Sequence, residues 1–219
     1  RLARRGHPWL YRDDLRNGEL EDPRFDPGML VRIRDDEGHD LGLGVASTRS
    51  KIALRLCGPW DAEEVPSPEE FLRHRIHRAS ELRSLQSEPL AGCRLVHGES
   101  DLLPGLVIDR YADVYVIQAT TAWMDAHSPL IAQVLQDLFE VRCVLARNDV
   151  GVRKFERLGE EIVLLAGEAV ERVTIEEGGI QHTVRPYAGQ KTGMYLDQRP
   201  ARQRVRELAQ GAKVLDLCC

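Results

Sequence analysis

The segment at residues 189–199 carries the densest polar chemistry in the chain, with the sequence Gly-Gln-Lys-Thr-Gly-Met-Tyr-Leu-Asp-Gln-Arg. An Arg-rich helical pattern follows, then the run Val-Leu-Asp-Leu-Cys-Cys at 214–219, which predicts a buried strand. In a doubly wound α/β sheet, a nucleotide-like ligand binds beyond the end of such a strand. We therefore expect the segment to offer a ligand one ring and several polar groups. The candidate cofactor-binding residues are Gln190, Lys191, Thr192, Tyr195, Asp197, Arg199 and Asp216.

A purely structural interpretation accounts for part of the same segment. Asp197 as a helix N-cap, followed by Pro200 early in the helix, needs no ligand. The two interpretations are compatible, because a capped helix can also present its first residues to a ligand.

The N-terminal arm interleaves arginines with aromatic rings, which suits phosphate contact and base stacking in RNA. The candidate RNA-binding residues are Arg4, Arg5, His7 and Arg12. Alternatively, Trp9 is the core anchor of a small domain, and we favour that interpretation for Trp9 itself. For Arg4 and Arg5, RNA contact and simple solvation stay equally open.

Other clusters favour structure over chemistry. The helical pattern with His74 and His77 is basic, but acidic residues dilute it and predict a solvated face. No Cys, Asp or Glu cluster with suitable spacing completes a metal site around the two histidines, so no metal is expected. Asp101 and Asp109 resemble an acid/base pair, yet structural roles explain them better: turn hydrogen bonds near Asp101, and for Asp109 either a pair with Arg110 or a strand cap.

Composition limits the classes of function. The formal net charge is −5, so any nucleic-acid binding must come from local patches. The five cysteines lack metal-ligand spacing and predict reduced thiols in a cytoplasmic protein. The sequence contains neither a secretory signal pattern nor an apolar run long enough to span a membrane. Residue 1 is Arg, and we expect the chain to be part of a longer protein.

Three segments organise the chain. Residues 1–66 contain short alternating runs with tight turns, which predict a small β-barrel or sandwich. Residues 67–187 predict a compact α+β domain. Ser67 followed by Pro68 predicts the start of a helix that continues from Glu69 to about Leu85. The other predicted elements are strands at 94–97, 105–109 and 114–119, a helix near 128–139, a strand at 143–146, a short helix near 151–158 and a hairpin at 173–184. Residues 188–219 predict the start of a Rossmann-like domain.

Together these motifs resemble a known family. The opening Gly-His-Pro-Trp-Leu-Tyr at 6–11 is similar to the start of a PUA domain. The stretch Gly-Glu-Ser-Asp-Leu-Leu-Pro-Gly-Leu-Val-Ile-Asp-Arg-Tyr at 98–111, followed by the segment at 189–199, resembles the RlmI-type rRNA large-subunit methyltransferases. Residue 194 is Met and residue 195 is Tyr, where the family usually has a pair of rings.

The resemblance implies an α/β plus β fold with a PUA-like barrel, a central α+β domain and the beginning of a Rossmann-like methyltransferase domain. It implies S-adenosylmethionine (SAM) as cofactor and 23S rRNA, or a large-subunit assembly intermediate, as partner, and it is compatible with a homodimer. The product would be 5-methylcytosine, made through a Cys thiolate that attacks C6 of the base. We expect that nucleophile beyond residue 219, so this chain alone would be inactive. Methylation of another RNA base and a non-catalytic RNA-binding adaptor stay open as alternatives; a nicotinamide dehydrogenase ranks last.

Overall fold

The structure is a computed structural model that describes residues 6–15, 28–47, 50–85, 91–215 and 217. The candidate residues Arg4, Arg5 and Asp216 lie outside these described residues, as do Cys218 and Cys219.

The first sheet is antiparallel and has the order β1-β4-β3-β2. Its strands are β1 (Trp9–Tyr11), β2 (Leu30–Arg34), β3 (Asp40–Ala46) and β4 (Ile52–Gly58). One side of the sheet buries Leu10, Ile33, Ala46 and Leu54 among themselves. Another set, including Leu43 and Cys57, belongs to the main core of the protein, so this sheet packs directly on the elements that follow it.

Helix α1 (Pro68–Ser84) begins where the sequence predicts. The Ser67 hydroxyl accepts a hydrogen bond from the backbone N–H of Glu70, and Pro68 occupies the first turn, where its missing N–H costs nothing. The apolar face places Phe71, Leu72 and Ile76 in the main core.

The second sheet has five strands in the order β5-β6-β7-β8-β9. They are β5 (Gly92–His97), β6 (Leu106–Tyr111), β7 (Val114–Ala119), β8 (Cys143–Arg147) and β9 (Ile162–Gly167). All neighbours are antiparallel except β7 and β8, which are parallel and connected through α2 (Ala122–Ala126) and α3 (Ser128–Leu138). A parallel pair needs such a crossover, whereas β6 and β7 require only a tight turn.

The two faces of the second sheet have different neighbours. Ile108, Ile117 and Val144 face the main core, which includes α1 and α3. Tyr111 and Val116 lie in a separate cluster with the hairpin of β10 (Val173–Glu177) and β11 (Ile180–Val184) and with Met194 and Leu196. Because side chains alternate along a strand, neighbouring residues serve opposite faces. The segment at 189–199 therefore rests on the face that carries Asp109 and Tyr111.

The chain continues through a 3-10 turn (Leu196–Gln198) into α4 (Arg199–Leu208). The strand predicted over 214–219 is wrong for the described residues: Lys213–Leu215 form no strand, and Val214, Leu215 and Leu217 are exposed. A strand of a parallel sheet forms only beside partner strands. No strand in the described ranges lies next to this run.

Three other predictions differ from the structure. Neither β9 nor β1 was predicted; β9 is a sheet edge with a largely exposed apolar pattern, and β1 has only three residues. The helix expected at 151–158 is a 3-10 helix, Gly151–Glu156. Among the described helices, none combines the length and the hydrophobicity that crossing a bilayer requires.

Candidate functional site

A buried hydrogen-bond network holds the segment at 189–199 on the second sheet. The Thr192 hydroxyl donates to Asp109 Oδ2 at 2.6 Å and lies 2.9 Å from the Tyr111 hydroxyl. Arg94 donates to both Asp109 carboxylate oxygens, at 2.8 and 2.9 Å. Asp109 and Thr192 have no exposed surface. Burial raises the pKa of Tyr111 to about 12, so its hydroxyl stays protonated and can donate.

The turn that follows needs glycine at two positions. Gly193 has φ +138°, and a Cβ there would lie 2.6 Å from Val184 Cγ1. A Cβ on Gly189 would lie 2.4 Å from the Gly193 carbonyl oxygen. Between them, Lys191 adopts a left-handed backbone with φ 59°, which is uncommon outside glycine. The buried Thr192 and the two glycines fix this conformation and leave the Lys191 side chain exposed.

Two sets of arginine contacts anchor the ends of the segment. Arg147 donates to the Pro186 carbonyl at 2.5 Å and pairs with Asp149. Arg199 and Arg202 share the Glu177 carboxylate on the β10–β11 hairpin, with N–O distances of 2.8–2.9 Å. Burial opposes ionisation of Glu177, but the hydrogen bonds from both arginines outweigh it, and the pKa of Glu177 is lowered.

A cleft of about 440 Å³ opens beside this segment, and we call it the Lys191 cleft. It is lined by Arg83, Cys93, Arg94, His97, Lys191, Met194, Tyr195, Leu196, Asp197 and Arg199. Its three arginines are paired: Arg83 with Asp101, Arg94 with Asp109 and Arg199 with Glu177. Lys191 forms no ion pair with any described residue, and its Nζ lies 5.4 Å from the centroid of the Tyr195 ring. The cleft thus offers the Lys191 cation, the Tyr195 ring and the exposed Asp197 carboxylate.

The candidate cofactor residues separate into three groups. Lys191, Tyr195, Asp197 and Arg199 line the cleft together. Thr192 is buried beneath it, and Gln190 is exposed but does not line it.

The capping interpretation of Asp197 is wrong. Gln198 is the N-cap of α4 and makes no side-chain cap bond, while Pro200 is at the start of the helix as predicted. The intervening 3-10 turn moves the helix start by one residue and leaves Asp197 on the cleft wall.

None of the three described cysteines is suited to be a nucleophile. Cys57 and Cys143 are fully buried, and Cys93 is half-buried on the wall of the Lys191 cleft. Burial raises the pKa of each thiol, that of Cys57 to about 12. Because the thiolate is the reactive form, these thiols are inert near neutral pH.

The N-terminal arm contacts the turn that connects β5 to β6. Trp9 is only half-buried and donates its indole N–H to Glu99 Oε1 at 2.9 Å, so its role as the core anchor of the first sheet is wrong. Leu10, the next residue, points into that core instead, because alternation along β1 turns Trp9 outward. His7 lies beside Trp9, with Nδ1 2.8 Å from the Trp9 carbonyl oxygen. Arg12 is exposed and reaches the Ser47 carbonyl at 3.4 Å.

The basic helix α1 is less solvated than predicted. Arg75 is buried and donates to the Cys57 carbonyl at 2.9 Å and the Pro59 carbonyl at 2.6 Å, which ties α1 to the end of β4. Arg83 pairs with Asp101, whose carboxylate also accepts the His97 N–H, as turn bonding predicts. The described residues contain no group of three His, Cys, Asp or Glu side chains suited to a metal ion.

The expected pair between Asp109 and Arg110 is wrong, and the true partner, Arg94, was missed. Adjacent residues on a strand face opposite ways, so Arg110 cannot reach the Asp109 side chain. Arg94 lies directly opposite Asp109 in the β5–β6 register. The sequence alone could not distinguish Arg94 from Arg110 as the partner, because that choice requires the register of β5 against β6.

Comparison of the fold and of the first domain with known proteins indicates the class of protein. A family model described as a PUA-like domain matches residues 1–57. A protein from Streptococcus mutans described as a SAM-dependent methyltransferase has the same fold, with a TM-score of 0.68 and 21% identity over 93% of this chain and 50% of that one. A second solved structure, a methyltransferase in complex with SAH, aligns with a TM-score of 0.70 and 21% identity over the same shares. The architecture is that of a PUA-containing, SAM-methyltransferase-type fold, as predicted.

The curated relatives are more specific. The chain is 36% identical over 219 residues to the ribosomal RNA large subunit methyltransferase I of Photobacterium profundum, covering 99% of this chain and 54% of that protein. It is 38% identical to the protein of the same name from Aeromonas hydrophila, with 98% and 54% covered. The chain is a relative of these methyltransferases, which confirms the resemblance found in its motifs. It spans about half the length of the curated relatives it matches.

Proposed function

We propose that this chain is the RNA-recognition and cofactor-flanking part of a SAM-dependent methyltransferase that forms 5-methylcytosine in 23S rRNA. The identity to proteins named ribosomal RNA large subunit methyltransferase I, over nearly the whole chain, carries this proposal. The proposal includes the division of the chain into a PUA-like barrel (1–66), a central α+β domain (67–187) and the start of a Rossmann-like methyltransferase domain (188–219). The substrate would be the rRNA or a large-subunit assembly intermediate in the cytoplasm, and a homodimer is compatible with it.

The Lys191 cleft suits the amino acid end of SAM. An amino acid presents a carboxylate and an ammonium group, and the cleft presents an unpaired ammonium at Lys191 and a carboxylate at Asp197. The Tyr195 ring provides a surface for the apolar part of the ligand. When bound, SAM supplies a methyl group on a sulfonium. Arg199 and Thr192 would act by holding the segment in place, through Glu177 and Asp109.

The catalytic thiol is proposed to lie outside the described residues. A C5 methylation needs a thiolate that adds to C6 of cytosine, and the described thiols are protonated and buried or half-buried. The family resemblance implies a nucleophile beyond residue 219, and on that proposal the 219-residue chain alone transfers no methyl group. His7 and Arg12, with Arg4 and Arg5 outside the described residues, remain the proposed RNA contacts of the first domain.

The test uses the complete gene product, SAM with a labelled methyl group and rRNA from cells that lack the enzyme. Label in 5-methylcytidine of the large-subunit RNA is the expected result. Label in a different nucleoside would contradict the cytosine mechanism and retain the methyltransferase. RNA binding without any label would favour a non-catalytic adaptor.

A separate experiment tests the cofactor site: calorimetric titration of the complete gene product with S-adenosylhomocysteine (SAH). Lys191→Ala and Asp197→Asn are each expected to weaken binding about tenfold, as expected for loss of one charge-assisted hydrogen bond. Gln203→Ala, an exposed change on α4 that does not line the cleft, is the matched control. Unchanged affinity in both cleft variants would contradict the assignment of this site.

A further inference from the structure

A second open cleft, of about 620 Å³, lies where the first sheet meets the 3-10 helix Gly151–Glu156, and we call it the Phe155 cleft. Strand β1 contributes Trp9 to its lining, the turn before β4 contributes Lys51, and the region around the 3-10 helix contributes Lys154, Phe155 and Arg157. It shares no lining residue with the Lys191 cleft.

The Phe155 side chain is exposed although its neighbours are firmly held. It is 65% exposed, and Val152 beside it is 49% exposed. Two residues of the same 3-10 helix, Arg153 and Glu156, are buried. Arg153 donates to the Gly159 carbonyl at 2.6 Å and to Asp125 at 2.8 Å. Because these two residues anchor the helix, the exposed ring stands on a fixed backbone rather than on a free loop.

Glu156 links this helix to the first sheet. Its carboxylate accepts hydrogen bonds from the Ser47 hydroxyl at 2.9 Å and from Arg55 at 2.8 Å. The other acid of the cleft, Glu99, is engaged by the Trp9 indole. Glu160 approaches Gly151, at the opposite end of the helix from Phe155. The carboxylates that line the cleft are therefore already bound by protein donors.

Three of the four cations that line this cleft are unpaired; the fourth, Arg55, is bound to Glu156. Lys51, Lys154 and Arg157 are exposed, and none of them forms an ion pair with a described residue. Lys154 Nζ lies 5.5 Å from the centroid of the Phe155 ring. An exposed ring on a rigid backbone, flanked by free cations, is the combination that binds unpaired nucleotides: bases stack on the ring, and phosphates meet the cations. An apolar peptide would leave the exposed cations without a counter-charge, whereas RNA supplies a phosphate beside every base.

We propose that the Phe155 cleft binds single-stranded RNA, with one base stacked on Phe155 and the adjacent phosphates at Lys51, Lys154 and Arg157. This site deepens the proposed function and rests on it, because it assumes an RNA substrate. It adds a contact surface that involves neither the N-terminal arginines nor the Lys191 cleft. Recognition here is by stacking and charge, so it tolerates many sequences.

The experiment measures anisotropy of a fluorescein-labelled 12-nucleotide pyrimidine RNA titrated with the 219-residue chain. Phe155→Ala is expected to weaken binding about tenfold or more, as for loss of one stacked base. Phe155→Trp should restore it, whereas Phe155→Leu should not. Lys154→Ala should lower the slope of log K against log salt by about 0.7. Leu82→Ala, an exposed apolar change on α1 outside the cleft, is the matched control.

The possible results distinguish failure of the RNA site from failure of the proposed methyltransferase function. RNA binding by the wild-type chain that Phe155→Ala leaves unchanged would overturn the site and leave the methyltransferase proposal intact. Equal affinity of Phe155→Leu and wild type would overturn stacking. A wild-type chain that binds no RNA would also overturn the site, while labelled nucleoside analysis of the complete gene product decides the methylation independently.

Discussion

At the residue scale, one carboxylate organises the Lys191 cleft from below. Asp109 is completely buried, yet it accepts hydrogen bonds from two Arg94 nitrogens and from the Thr192 hydroxyl. A buried carboxylate is stable only when its partners replace the water it has lost. Asp109 is thus the point at which the second sheet determines where the segment at 189–199 lies.

Replacing Asp109 tests this role directly. Asp109→Asn places an amide N–H₂ against the Arg94 guanidinium and removes the compensating charge, so we expect a loss of about 2–4 kcal/mol in unfolding free energy. Asp113→Asn is the control, because its pair with Arg142 is about 40% exposed on both sides. That change should cost less than about 1 kcal/mol. Urea unfolding measures both, and equal effects would contradict the role of Asp109.

At the element scale, the turn at Gly189–Gly193 depends on glycine for a steric reason. A Cβ at Gly189 would meet backbone atoms, the Gly193 carbonyl at 2.4 Å and the Arg185 carbonyl at 2.8 Å, and backbone cannot rotate away as a side chain can. Gly189→Ala should destabilise the chain by at least about 2 kcal/mol. Gly159→Ala, with no atom within 4 Å of the added Cβ, should stay within about 0.5 kcal/mol. Thermal unfolding of the two variants provides the comparison.

The attachment of α4 to the β10–β11 hairpin should depend on pH. The pKa of Glu177 is lowered in the folded protein because Arg202 and Arg199 donate to its carboxylate. A lowered carboxyl pKa stabilises the fold above the unfolded value, here taken as 4.5, and the contribution is lost as pH falls through the folded pKa. The protection factors of the α4 amides, that is, their exchange rates corrected for the intrinsic pH dependence, should therefore fall below about pH 4.5.

Glu177→Gln is the matched variant for this pH dependence. It keeps the shape of the side chain but has no charge to lose, so the protection factors in α4 should already be lower at pH 7 and should change less on acidification. An identical pH profile in wild type and Glu177→Gln would show that a different group controls the attachment.

The sequence predicts an element when the residues that determine it are neighbours in the chain, and it fails when they are far apart. The start of α1 depends on Ser67 and Pro68 alone, and it was predicted correctly. β9 depends on pairing with β8, and its exposed apolar side chains give no alternation, so the sequence alone did not reveal it. In the candidate site, polar density identified Lys191, Tyr195, Asp197 and Arg199 as neighbours. It did not show that Thr192 points inward, since that depends on Asp109, 83 residues earlier.

At the scale of the whole molecule, the first sheet and the second sheet share one core. Leu43 and Cys57 from the first sheet lie in the same buried cluster as Phe71 of α1 and Ile117 of the second sheet. Arg75, Trp9 and Glu156 add polar contacts between the two parts. Units that share a core unfold together, because separating them exposes apolar surface on both.

The shared core predicts a single cooperative transition for residues 1–219 in differential scanning calorimetry. The calorimetric and van't Hoff enthalpies should agree. Glu156→Gln, which weakens the link to Ser47 and Arg55, should lower the transition temperature without splitting the transition. Two resolved transitions in the wild-type chain would contradict coupling through the core.

Because the chain has few lysines, chemical modification of lysine can report on ligand binding in each of the two clefts. The chain has four lysines, Lys51, Lys154, Lys191 and Lys213, and the side chain of each is exposed. An amine-acylating reagent should therefore modify all four, and peptide mass spectrometry can follow each one separately. RNA should protect Lys51 and Lys154, SAH should protect Lys191, and Lys213 is the internal reference. One footprint could then show whether the two ligands occupy the chain together or exclude each other.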